Sequence, residues 1–226
     1  MDLYDVHTHS APLPSDDDVE PEGKKINYIL DVYPLGFEDA KDMASLNCFF
    51  SCGVHPWYSE DAQPQLDFLK EIASNPRIIA IGEAGYDKLK GADIETQRTV
   101  FEQQIQLSEQ LHKPLIIHCV KAWDDLYASY RKYNPRQPWI LHGYRGGEEL
   151  TRQLLDMDVY FSLGAKYNKD SLRVIPTDRL LCETDTQNCT IEEIYADISA
   201  ALNIQMLDFS EKIEQNVRRI FPQFAV

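Results

Sequence analysis

The chain is short of positive charge. Lys and Arg number 22 against 37 Asp and Glu, for a formal net charge of −15 over 226 residues. Coating nucleic acid draws on clustered Lys and Arg, so the composition argues against a non-specific strand-binding protein. A local site holding cations escapes that argument, because a divalent ion dominates the field around it. The chain also lacks any run of about 18 apolar residues, which removes a membrane span. Its start, MDLYDVHTHS, has neither the basic nor the apolar region of a secretory signal. Five cysteines (Cys48, Cys52, Cys119, Cys182 and Cys189) form an odd set without framework spacing. That predicts reduced thiols and a cytoplasmic setting. Repeats and low-complexity tails are absent too.

Hydrophobic residues make up 43% of the chain, enough for a sizeable core. The length suits one larger domain over residues 1–226 better than two small ones. Eight short apolar runs read as strands: 3–7, 26–33, 46–54, 77–83, 114–119, 138–142, 159–164 and 179–185. Helical candidates lie between or after them at 37–44, 63–74, 95–111, 122–133, 147–156, 190–202 and 207–221. Strands alternating with helices predict parallel βαβ units and a closed (β/α) barrel, with a doubly wound open sheet as the alternative. Residues 10–25, SAPLPSDDDVEPEGKK, hold three prolines and a run of acids and predict a loop. Within it Asp16, Asp17 and Asp18 read as a solvated acidic triplet.

The chemistry collects where the apolar runs end. The first ends in His7 and His9, the third in His55 and the fourth in Glu83. His118, His142 and the pair Glu183 and Asp185 end three more. In a parallel barrel those ends share the face that carries active sites. Imidazole and carboxylate together are ligands for borderline divalent metals. His7 and His9 stand two apart on a strand, so both point to one side and can grip one ion. Glu83 and Asp185 supply the negative charge that neighbouring cations need. His118 and His142, from separate strands, could complete a second site. His55, braced by Pro56 and Trp57, suits either a ligand or a donor to an anionic substrate.

Each position alone has a plainer explanation: a strand-end His is more often structural, and an HxH pair arises by chance. Six strand ends with one pattern favour the metal site. His112 is set apart, because it precedes Lys113 and Pro114 at a helix end, where a cation suits the dipole. Cys119 and Cys182 read as small buried residues. Arg145-Gly146-Gly147 is a flexible loop that matches no phosphate-binding motif.

DVHTH (5–9), GVHPW (53–57), IGEAGYD (81–87), IIHC (116–119), LHG (141–143) and ETD (183–185), in that order, make the chain resemble the TatD family of metal-dependent hydrolases. Gln97, Phe101, Gln104 and the stretch Leu111 to Pro114 resemble the family's linking segment, and the likeness runs from residue 2 to about residue 221. It implies a distorted TIM barrel and a dinuclear site with two divalent ions (Zn, Mn, Mg, Fe or Ni). It further implies deoxyribonuclease-like cleavage of a phosphodiester. DNA ends and a small diester both stand as expected substrates, and a monomer or weak oligomer as the expected state. His7, His9 and Asp185 would hold one ion and His118 and His142 the other, with Glu83 bridging and His55 contacting the scissile phosphate. Asp185 would serve as general base. Three departures surround the substrate cleft: Val120 where the family has arginine, a shortened first βα unit, and TQNCTIEEIY (186–195) after ETD. The metal ligands are intact.

Two other readings follow from the same residues. One is an amidohydrolase or lactonase acting on a C–N or C–O bond; the strand-end position holds Glu83 and no lysine, which ranks it lower. The other is a binding protein on an inactive barrel, which the complete ligand set opposes.

Overall fold

The computed structural model describes residues 1–10, 25–44 and 48–225. Among the described residues eight strands run β1 Asp2–Thr8, β2 Lys25–Val32, β3 Cys48–Cys52, β4 Ile78–Asp87, β5 Leu115–Val120, β6 Trp139–Leu141, β7 Val159–Leu163 and β8 Leu180–Cys182. The α-helices of the described residues are α1 Phe37–Met43, α2 Gln63–Ile72, α3 Ile94–Leu111, α4 Trp123–Tyr133, α5 Glu148–Leu154, α6 Lys169–Leu172, α7 Ile191–Leu202 and α8 Met206–Ile220. The strands are parallel and ordered β1 to β8 in one sheet. Sequential parallel strands with helices between them are the topology of a (β/α) barrel, as the sequence predicts. The loop expected over 10–25 and the Asp16–Asp18 triplet fall on residues outside the described ones, apart from Ser10 and Lys25 at its ends. Among the described residues no helix is long and apolar enough to cross a membrane.

The chain packs as two compact units. The first comprises residues 1–30, 43–49 and 143–226. Here β7 pairs with β8, β1 pairs with β2, and a single bridge between Thr8 and Asp185 joins the end of β1 to the chain leaving β8. α7 starts in a capping box, in which Thr190 accepts from the Glu193 N–H and Glu193 accepts from the Thr190 N–H. Its buried Tyr195 hydroxyl accepts from the Tyr4 N–H at 3.1 Å and donates to the Tyr4 carbonyl at 3.2 Å, tying α7 to β1. Asn216 of α8 donates to the carbonyls of Thr177 and Leu180.

The second unit comprises residues 31–42 and 50–142, with β4 paired to β3 and β5, and β5 paired to β6. All ten residues of β4 are buried, as a parallel strand covered on both faces requires. β4 runs four residues beyond the expected end at Glu83. Asp93 caps α3 by accepting from the Glu95 and Thr96 N–H groups, and His112 closes the helix in the left-handed conformation. Lys113 turns its ammonium onto the carbonyls of Ala73, Asn75 and Ile78, joining the end of α3 to the turn before β4. The helix α6 was not legible in the sequence. It is a single turn, held by Asn168 accepting from the N–H groups of Asp170 and Ser171.

Tyr195→Phe should destabilise the protein by about 1–3 kcal/mol, because it leaves the buried Tyr4 amide without its partner. Urea unfolding of the two proteins checks this.

Candidate metal centre

The first unit brings His7, His9 and Asp185 together. His7 lies near the end of β1 and is fully buried; His9 lies just beyond the strand and is exposed. Their rings stand at 88° with centroids 5.0 Å apart. Asp185 Oδ1 is 3.9 Å from His7 Nε2 and 3.7 Å from His9 Nε2. Backbone pairing sets this arrangement: the Asp185 N–H donates to the His7 carbonyl and the His9 N–H to the Asp185 carbonyl. Asp185 itself takes a left-handed φ of 54°, a conformation that Asp tolerates better than most residues.

Two acids absent from the expected ligand set hold this end in place. Asp5, buried, accepts the Thr184 N–H at 3.0 Å and its hydroxyl at 2.6 Å, so the DVHTH and ETD segments are bonded directly. Burial raises the Asp5 carboxyl to about 7, against the Thr184 hydrogen bonds that lower it. Glu183 Oε1 accepts the Gly143 N–H at 2.5 Å, gripping the backbone immediately after His142. A cleft of about 890 Å³ opens beside Asp185, walled by Ser10, Tyr28, Gln187, Asn188 and Glu192 among others.

The second unit gathers three imidazoles on one carboxylate oxygen. Glu83 Oε1 is 2.6 Å from His142 Nε2, 2.8 Å from His118 Nδ1 and 3.2 Å from His55 Nε2. Burial pushes the Glu83 carboxyl up, but the charge of His142 and hydrogen bonds from His118, His142 and His55 more than cancel this. They hold it well below the usual carboxylate range. His55 is lowered too: burial lowers its imidazole, opposed by Glu83. The Trp57 N–H donates to His55 Nδ1 at 3.1 Å, which leaves Nε2 facing Glu83. The sequence suits His55 to either a ligand or a substrate donor; the structure groups it with Glu83 and His118 as one donor set.

Asp87 is the residue that sequence reasoning missed. Its Oδ2 lies 3.2 Å from His118 Nε2 and accepts the Trp57 indole N–H at 2.6 Å. Burial would raise its carboxyl, but Trp57, the Leu89 N–H and His118 lower it. A carboxylate on one imidazole nitrogen fixes the ring and leaves the other nitrogen as donor. Here that donor is His118 Nδ1, which faces Glu83 and lies 3.3 Å from His142 Nε2. The available signal was parity: Asp87 stands four residues after Glu83, on the same side of a continuing strand. Two glutamines of α3 brace the same region. Gln97 exchanges hydrogen bonds with the backbone of Asp87, and Gln104 with that of Val54, next to His55. Cys182 is buried in β8 and Cys119 is half-buried in β5; burial raises both thiols.

The donor chemistry fits divalent metal ions. Two ligand atoms on a tetrahedral zinc-like ion, each about 2.1 Å from it, stand about 3.4 Å apart. The pairs around Asp185, at 3.7 and 3.9 Å, are close to that spacing. Those around Glu83 are shorter because they are hydrogen-bonded, and would open by less than about 1 Å to admit an ion.

Comparison with known proteins agrees with this chemistry. The chain is 29% identical over 203 residues to the metal-dependent hydrolase YabD of Bacillus subtilis (strain 168), covering 81% of this chain and 79% of that one. It is 29% identical over 181 residues to the deoxyribonuclease Tat-D of Schizosaccharomyces pombe, covering 70% of this chain and 58% of that protein. The chain thus spans less than two thirds of the yeast relative. Its fold matches the crystal structure of YJJV, a TatD homologue from Escherichia coli K12, with a TM-score of 0.81 and 18% identity. That match covers 97% of this chain and 98% of the other. The model of the TatD-related DNase family matches residues 4–222, and the chain belongs to that family of metal-dependent hydrolases.

Proposed function

We propose that the protein, as one barrel domain over residues 1–226, hydrolyses phosphodiester bonds at a dinuclear metal site. The observation that carries this reading is the convergence of three imidazoles on Glu83 Oε1, with a second His-His-Asp set at Asp185. Each set sits at strand ends or just past them, where parallel barrels carry their sites. His7, His9 and Asp185 would hold one divalent ion, and Glu83, His118 and His142 the other. Bound ions of this kind supply hydroxide near neutral pH, because they bring the pKa of water from about 15.7 to about 7.

The chain's own residues do the rest. Asp185 orients the attacking water and takes its proton as general base. His55, its Nδ1 fixed by the Trp57 N–H, presents Nε2 to a phosphate oxygen of the substrate. Asp87 holds His118 so that Nδ1 keeps its aim. The charge of −15 and the cleft beside Asp185 favour a short substrate, a small diester or a DNA end, over a long strand. Among the described residues that line the cleft there is no Lys or Arg to track a backbone.

Asp185→Asn should lower the turnover of a generic phosphodiester by about 10²–10⁴-fold with the circular dichroism unchanged. Glu83→Ala should remove turnover altogether. Wild-type rates in either variant, with Mn²⁺, Mg²⁺ or Zn²⁺ supplied, would sink the assignment, as would turnover of a lactone and of no phosphodiester.

Asp87→Asn should weaken metal binding or activity about 10–100-fold, the usual effect of losing a carboxylate behind a ligating histidine. A competition titration against a chelator reads this directly.

A further inference from the structure

Seven large apolar side chains are exposed among the described residues, and five of them lie in three loops: Tyr33, Leu35, Trp57, Tyr58 and Leu89. Those loops follow the C-terminal ends of β2, β3 and β4. That is the face on which parallel barrels carry their sites. The exposure is therefore local to one end of the second unit. Tyr33 and Tyr58 are 58% and 52% exposed, with ring centroids 6.2 Å apart and planes at 74°. The Tyr58 ring lies 6.2 Å from that of His55, and the Trp57 ring 4.7 Å from it. On the far side the Lys90 ammonium sits 3.4 Å from the Trp57 ring centroid. A continuous strip thus runs from Tyr33 through Tyr58, His55 and Trp57 to Lys90, and His55 touches Glu83.

Exposed apolar surface gathered in one place marks a binding surface. The occupant must combine a flat ring with a group suited to imidazole and metal. A nucleotide does so: its base has a π-face that stacks on aromatic side chains whatever the base, and its phosphate suits the centre at His55 and Glu83. Tyr33 and Tyr58, nearly perpendicular, offer one ring to stack on and a second as a wall.

We infer that Tyr33 and Tyr58 form a stacking platform for the nucleobase next to the scissile phosphate. This rests on the phosphodiesterase reading for where the phosphate lies. The platform itself is tested by binding. The full chain with Mn²⁺ is titrated with deoxyadenosine 5′-monophosphate and, separately, with deoxyribose 5-phosphate. The wild type should prefer the nucleotide by about ten-fold. The double variant Y33A/Y58A should lose that preference, and Y33F/Y58F, which keeps both rings, should retain it. Equal affinity for both ligands in the wild type, or an unchanged preference in Y33A/Y58A, would overturn the platform. Hydrolysis of a dinucleotide is measured alongside. Cleavage by a wild type that does not prefer the nucleotide over the sugar phosphate defeats the platform alone, whereas a nucleotide preference that depends on the tyrosines, without cleavage, supports the platform and defeats the phosphodiesterase reading.

Discussion

One carboxylate oxygen organises the second unit. Glu83 Oε1 meets imidazoles that come from the ends of three different strands, β3, β5 and β6. A buried carboxylate is costly without partners. Three imidazoles supply them, and their combined pull outweighs the desolvation. The same three groups can exchange protons for a metal ion, since ligands must be deprotonated to bind one. The buried negative charge is thus both what the fold must satisfy and what the chemistry uses.

Around this centre the chain spends polar side chains on holding backbone. Gln97 and Gln104 reach from α3 to Asp87 and Val54, and Glu183 grips the amide of Gly143. Asp5 clasps Thr184 across 179 residues of sequence. Buried polar groups that find partners rigidify a site, and partly satisfied ones would loosen it. The ligands themselves sit on or just beyond strands, so their aim depends on these ties more than on loop conformation. The aromatic rim differs: Tyr33 and Tyr58 leave most of their rings in solvent, where they add nothing to the core.

The barrel was legible because its signals are local. Apolar runs of strand length and amphipathic stretches alternate along most of the chain, and every expected strand is present within a few residues. The strand-end histidines were legible for the same reason, since position in a βα unit decides which face a residue reaches. What was missed depends on distant partners. The expected strand stops at Glu83, yet β4 continues to Asp87, where Gln97 pairs with the backbone. Asp5 was visible in DVHTH without a role, because its partner Thr184 lies at the other end of the chain. The helix α6, at four residues, falls below what periodicity can register.

The central claim is that two separate donor sets each hold an ion. Metal analysis of the protein after equilibration with Mn²⁺ and removal of excess tests it most directly. The account predicts two ions per chain in the wild type, one in His7→Ala and one in His118→Ala. Fewer than two ions in the wild type, or an unchanged count in either variant, would contradict it.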